Sequence, residues 1–350
     1  MKKYNTYVGM DCGDKRHHVC VLDGEGEVIG RQVVRNSAKD VLEALAEYPG
    51  SLVAIEVGTH SRWLQREIEE AGHKVLVANP RKLKAISRSD QKTDRNDAEM
   101  LARLARFDPK MLSPVVHRSS ERQTDLMILK ARDRVVILRT SLINFVRGSL
   151  KSEGFRAPSS SADAFARKAA PSIPDGLKPA LGPILDQITL MTELIREYER
   201  KMAELARQYP EVKCFRQVTG VGPVLGLAYP LILEDPARFR KSRMVGAFVG
   251  LTPKKDQSGD IDKELRISKH GDDYLRRLLV SSAQYILGPL NKQDSALRRF
   301  GLRLAQGGGK RAKKRAVVAV ARKLAVLLHR LWVTGEVYDP MRGVDVEDAA

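Results

Sequence analysis

Apolar residues recur with two different periods along this 350-residue chain, and the changes of period mark its organisation. Tyr4–Asp11, His17–Leu22 and Glu27–Val34 are short β-rich stretches, separated by Gly13-Asp14 and by Gly24-Glu25-Gly26. They read as a three-strand meander. Ala38–Glu47 then places Val41, Leu42 and Leu45 at helical spacing. Leu52–Ile55, behind Pro49-Gly50, is a buried strand; Arg62–Ala71 is a helix closed by Gly72; Lys74–Ala78 is another buried strand, ended by Asn79-Pro80. Asp94–Arg106 is a helix rich in Ala and Leu. The predicted order is β-β-β-α-β-α-β-α.

That order, a meander followed by α/β units, is the one expected of an α/β RNase H-like domain over residues 1–110. Residues 111–210 carry two long helices. The first shows an apolar stripe at Val135, Leu138, Leu142, Phe145 and Leu150. In the second, Ile184, Ile188, Met191, Ile195, Tyr198, Met202 and Leu205 alternate steps of four and three, which predicts a coiled-coil seam or dimer contact. An ordinary amphipathic helix packed on its own domain is the other reading. Ala157–Ser161 and Pro171–Pro174 read as loops. A mostly α domain is expected over 211–340, with a tail at 341–350. In it Thr219-Gly220-Val221-Gly222 sits between helical stretches, a polar loop runs to Glu264, and Asp272–Leu287 forms a basic helix.

Charge narrows the choice of partner. There are 61 Lys and Arg against 43 Asp and Glu, a net charge of +18 that calls for a polyanion, most simply nucleic acid. Aromatics are 5%, so phosphate contacts fit better than broad base-stacking platforms. Cys12, Cys20 and Cys214 form neither a CxxC pair nor a metal-ligand cluster, which fits a reducing cytoplasm. No segment is a signal peptide or can span a bilayer; the apolar run Leu225–Leu233 is short and contains Pro230.

Four acids stand out by position. Asp11 ends the first strand, Glu56 the fourth, and Asp94 and Asp97 share a face at the start of the last helix of the domain. In an RNase H-like sheet these points converge, and several carboxylates in one place call for divalent cations, typically two Mg²⁺ ions that assist phosphoryl transfer. Individually each has a plainer role: Asp94 as a helix cap and Asp97 as a first-turn acid. Gly220 and Gly222 suggest a helix-hairpin-helix element that admits a phosphate at a helix start, or simply an interhelical turn. Ser258, in Gln257-Ser258-Gly259, is a candidate nucleophile with the cations Arg266, Lys269, Arg276 and Arg277 nearby; Ser268 competes with it. Lys310, Arg311, Lys313, Lys314 and Arg315 form a second basic cluster, either a phosphate surface or a solvated helix face.

These residues resemble those of the insertion sequence 110 family of transposases, which includes bridge-RNA-guided recombinases and related DNA invertases. The likeness runs over nearly the whole chain. It rests on Val8-Gly9-Met10-Asp11, Ile55-Glu56, Val77–Pro80, Lys92–Ala98, Thr219–Gly222, Gly250–Pro253, Gln257–Gly259, Ile267–Lys269 and Leu275-Arg276. Glu56 is followed here by Val57-Gly58-Thr59-His60, where Ala-Thr-Gly-Thr-Tyr is commoner. The resemblance implies a RuvC-like domain with an Asp-Glu-Asp-Asp metal site at Asp11, Glu56, Asp94 and Asp97. It also implies a transposase domain whose serine, Ser258, links covalently to DNA. A homodimer that pairs into a tetramer around donor and target double-stranded DNA is implied too, with a guide RNA in some members. A site-specific DNA invertase of the same family, a RuvC-like structure-selective nuclease that would not need Ser258, and a non-catalytic nucleic-acid-binding protein are the alternatives.

Overall fold

The computed structural model describes residues 4–79, 93–258 and 261–342, and for 255–258 and 261–264 the backbone alone. Pro80, Lys92, Gly259 and the tail beyond Arg342 lie outside the described residues. The chain divides into two units, Met1–His117 and Arg118–Ala350.

The first unit contains β1 (Thr6–Cys12), β2 (Arg16–Asp23), β3 (Val28–Arg35), α1 (Ala38–Leu45), β4 (Leu52–Glu56), α2 (Ser61–Glu70), β5 (Lys74–Ala78) and α3 (Asp94–Phe107). Among the described residues this is the order that the periodicity predicts. The sheet order is β3-β2-β1-β4-β5. The meander β1-β2-β3 is antiparallel, and β4 and β5 add in parallel, so β1 and β4 are neighbours.

Strand alternation divides the core in two. Val8, Met10, Val53 and Ile55 point to one face and pack with Val41, Leu45, Leu64 and Ile68 of α1 and α2. Tyr7, Leu52 and Ala54 point to the other face and pack with Ala98, Leu101, Ala102 and Ala105 of α3. Each fully buried Val, Leu or Ile contributes about 1.5–3 kcal/mol, so both layers are firmly held. Thr93 caps α3, its side chain accepting from the Asn96 amide, and thereby fixes where the helix begins.

The second unit is mostly helical. Its main elements are α4 (Ser120–Ser152), α5 (Phe165–Ala169), α6 (Lys178–Leu205), α7 (Glu211–Phe215), α8 (Pro223–Leu233), α9 (Met244–Phe248), β6 (Pro253–Ser258), β7 (Ile261–Ile267), α10 (Asp273–Leu287), α11 (Ala296–Ala305) and α12 (Gly309–Thr334). Residues Leu225–Leu233 of α8 are all buried. Around them pack α4, α6, α10 and α12, through Leu129, Leu205, Leu279 and Leu324 among others. Tyr229 donates to the Ala325 carbonyl at 2.6 Å, so its hydroxyl is satisfied inside that core.

Three sequence expectations are corrected in this unit. The stripe Val135, Leu138, Leu142, Phe145, Leu150 is only in part the buried face of α4: Leu150 is buried, but Leu138 is 47% and Phe145 55% exposed, and Ile143 and Val146, outside the stripe, are buried. On α6, Ile188, Ile195, Met202 and Leu205 of the expected seam are buried, but Leu181, Leu185 and Thr192 complete the face. The reason is a polar lock that periodicity cannot register. Arg139 turns inward and donates to Thr192 Oγ1 at 3.1 Å and to Asp163 Oδ1 at 2.7 Å, which sets the rotation of α4 against α6. The polar loop expected before Glu264 is instead an antiparallel hairpin, β6 with β7, in which Ser258 pairs with Ile261. In the sequence, Ser258 is followed by Gly259-Asp260, a turn-forming composition whose signal is outweighed by the lack of apolar alternation around it.

The first unit buries two histidines. His17 Nε2 meets Asn36 Oδ1 at 3.1 Å, and His73 Nδ1 meets Ser51 Oγ at 2.8 Å. Burial pushes both below the ordinary imidazole value of 6.5. The unfolded chain therefore binds more protons there. The stability these neutral rings provide is complete above pH 6.5 and is lost as the pH falls through their lowered folded values. The melting temperature should fall between about pH 7 and pH 5. A His17→Gln, His73→Gln variant followed by circular dichroism should fall less over the same window.

Candidate active site and basic groove

The acidic site is built by two strands and one helix. Met10 pairs with Ile55 across β1 and β4, so Asp11 and Glu56 are the next residues along adjacent parallel strands. Strands in a sheet lie about 4.8 Å apart. Tyr7 of β1 and Leu52 and Ala54 of β4 face α3, so alternation turns Asp11 and Glu56 to that same face. Both are half-buried.

Gly9 brings the helix to them. A Cβ on Gly9 would stand 1.9 Å from the Ala98 carbonyl oxygen and 2.5 Å from the Ala102 amide. The backbone of α3 therefore rests directly on β1, two residues before Asp11 and one turn after Asp94 and Asp97. Asp94 also meets His18 of β2, Nε2 to Oδ2 at 3.6 Å. Residue Asp11 lies opposite His18 in the β1–β2 ladder, so this contact ties the helix start to the Asp11 position.

The electrostatics report the same neighbourhood. The Cys12 thiol is pushed up to about 12, first by burial and then by the charges of Asp11 and Glu56. A thiol held so far from ionisation is no nucleophile. Among the described residues, no three His, Cys, Asp or Glu side chains are drawn into a ready metal cluster. Asp11 and Glu56 end adjacent central strands at the carboxyl edge of the sheet, and Asp94 and Asp97 lie in the first turn of the helix packed on β1.

A network that sequence reasoning missed braces the loops behind this edge. His60 Nε2 meets Asp14 Oδ1 at 3.4 Å, Asn36 donates to the Asp14 carbonyl at 2.8 Å, and Trp63 Nε1 donates to His60 Nδ1 at 3.3 Å. Asp14 follows Asp11 and His60 follows Glu56, so the loops after the two acid-bearing strands are tied together. The signal in the sequence was the His60 departure from the commoner motif.

In the second unit, a groove of about 1700 Å³ runs beside α12. Arg311, Lys314, Arg315, Arg322 and Arg330 line it from one helix face. At 1.5 Å per residue that face is about 28 Å long. Arg266 and Lys269, at the root of the β6–β7 hairpin, line it too, as does Arg303 of α11. Lys323 lies over the Phe300 ring at 3.7 Å, and burial together with Arg303 lowers its pKa.

The expected phosphate-binding residues thus separate. Lys269, Arg311, Lys314 and Arg315 line the groove; Lys310 and Lys313 are exposed on the same helix. Arg277 is engaged by Asp133 at 2.9 Å and by Asp273. The structure places Arg276 inside, 8% exposed, donating to the Val249 carbonyl at 3.0 Å. Gly220, at φ +87, is where α10 packs: its Cβ would meet Ile286 at 2.8 Å. Gly222 is open and caps α8. Ser258 ends β6 in the second unit, whereas the four acids belong to the first.

Comparison with known proteins gives these features a class. Residues 8–153 match a family model of IS110-type DEDD transposases, described as Transposase. Residues 212–299 match the model described as Transposase IS116/IS110/IS902 family. The chain belongs to the IS110 family of transposases. It is 28% identical to a probable family 20 transposase of Pseudomonas aeruginosa, over 95% of this chain and 98% of that one. It is also 28% identical to the transposase for insertion sequence element IS1111A of Coxiella burnetii, over 95% of this chain and 90% of that one. The transposase for IS1328 of Yersinia enterocolitica is 27% identical, over 83% of this chain and 87% of its own length. Among the described residues no helix is long and apolar enough to cross a membrane.

Two outcomes follow. Gly9→Ala should cost about 1–3 kcal/mol in a urea melt, because the atoms it meets are backbone and the helix must move. Replacing Lys314, Arg315 and Arg322 by Ala should reduce the slope of log affinity against log salt by about 2 to 3, read by fluorescence anisotropy on duplex DNA.

Proposed function

We propose that this transposase cuts and rejoins double-stranded donor and target DNA through a covalent phosphoserine at Ser258, assisted by divalent metal at Asp11, Glu56, Asp94 and Asp97. The observation that carries the metal half is the close contact of α3 with β1 at Gly9. It packs the helix that starts with Asp94 and Asp97 on the strand that carries Asp11, which supports this reading. The sheet order β3-β2-β1-β4-β5 is the one a RuvC-like reading requires. Four hard oxygen donors suit Mg²⁺, which when bound supplies positive charge for the attacking and leaving oxygens of phosphoryl transfer.

Ser258 Oγ attacks the scissile phosphorus, its proton leaves, and the bond to the 3′-oxygen breaks to release a 3′-hydroxyl. The phosphodiester survives as a serine ester, so attack by a new 3′-hydroxyl restores a strand with no nucleotide cofactor. The basic groove that includes the hairpin root supports a sugar–phosphate backbone led toward that hairpin. A guide RNA and assembly of dimers into a tetramer belong to the same reading.

Purified protein and element DNA test it. Ser258→Ala should form no adduct that survives denaturant and no recombinant product. Asp11→Ala should lose at least a hundredfold in strand cleavage while keeping its DNA affinity. Adduct formation by Ser258→Ala, or full cleavage by Asp11→Ala, would overturn the corresponding half.

A further inference from the structure

We infer that Arg276 is a positioning residue that aims the serine hairpin, rather than a phosphate contact; this rests on the reading of Ser258 as nucleophile. Its guanidinium is buried and joins the two chain segments that flank the hairpin. Nη1 donates to the Val249 carbonyl at 3.0 Å, before β6, and to the His270 carbonyl at 3.4 Å, after β7. Nη2 is held by Asp273 at 2.8 Å, so the head cannot rotate away.

The backbone at this root leaves no slack. Gly250 has φ +70, and a Cβ there would stand 2.0 Å from the His270 carbonyl oxygen. Gly271 has φ +89, and its Cβ would stand 1.8 Å from the Phe248 carbonyl oxygen. Between them Lys269 adopts φ +56, a left-handed conformation disfavoured for a residue with a side chain. Strained backbone of this kind persists only where its surroundings over-determine it. The amides of Ser268 and Lys269 donate to the carbonyls of Thr252 and Gly250 at 2.8 and 3.1 Å, and these bonds close the root. Beneath it Asp272 caps α10 and is paired with Arg118 at 2.9 Å. The root is thus pinned to the helical core.

Lever geometry makes the pin matter. Five residue steps separate Pro253 from Ser258, and at about 3.4 Å per step the tip stands about 17 Å from the root. A tilt of about 5° at the root then moves the tip by about 1.5 Å, and a misplacement of about 1 Å can cost a hundredfold in rate. A surface cation in this position would act through affinity. A buried clamp acts through rate.

The test uses full-length Arg276→Gln and Arg276→Lys with Ser258→Ala as reference. At saturating DNA the adduct-forming rate of Arg276→Gln should fall about a hundredfold, with Kd within threefold of the parent and partial recovery in Arg276→Lys. Hydrogen exchange of the amides of 254–258 and 261–267 should quicken at least tenfold in Arg276→Gln, while exchange in the sheet of the first unit stays as in the parent. Unchanged hairpin exchange, or a rate loss that more DNA repairs, would overturn the positioning role whatever the nucleophile is. An adduct in Ser258→Ala would remove the serine reading and leave the exchange result to decide the clamp.

Discussion

The contact of α3 with β1 at Gly9 is the constraint on which the first unit depends. A helix normally stands off a sheet by the depth of two side-chain layers. Here Gly9 contributes no side chain, and Ala98 and Ala102 contribute only methyl groups. The helix backbone therefore reaches the strand itself. Any larger residue at the crossing would lift the helix, and Asp94 and Asp97 with it.

The second unit solves a related problem with buried polar groups. Its centre is α8, apolar on every side and enclosed by four longer helices. Around that centre, three arginines are used as internal fasteners. Arg118 pairs with Asp272, Arg139 bridges Asp163 and Thr192, and Arg276 joins the two sides of the hairpin root. A buried guanidinium needs polar partners for its donors, here carboxylates, carbonyls and the Thr192 hydroxyl. Apart from Asp273, which shares α10 with Arg276, their partners lie outside their own helices, so these bonds also fix a rotation or a crossing. The net charge of +18 therefore mixes two populations: cations that line the groove and cations consumed by the architecture.

The fold of the first unit was legible because strand and helix periods are local, and each buried strand is bracketed by Gly, Pro or Asn. The positions of Asp11, Glu56, Asp94 and Asp97 were legible for the same reason: each sits at the end or start of an element. The face of α4 was not. Its sequence carries more than one apolar stripe, and Arg139, polar by type, occupies the face that is buried. The β6–β7 hairpin was missed because Lys254, Lys255, Asp256 and Gln257 show no alternation of apolar and polar residues.

By itself the sequence determined the element order of the first unit, the basic balance that demands a polyanion, and the motifs that place the chain among IS110 transposases. These follow from local spacing and composition, which need no partner elements to be read. The tertiary structure decided which face of each long helix is buried. It decided which lysines and arginines line a groove, and that Gly9 is a crossing point and Gly220 a packing point. Those depend on what stands opposite a residue across the fold, which sequence spacing does not encode.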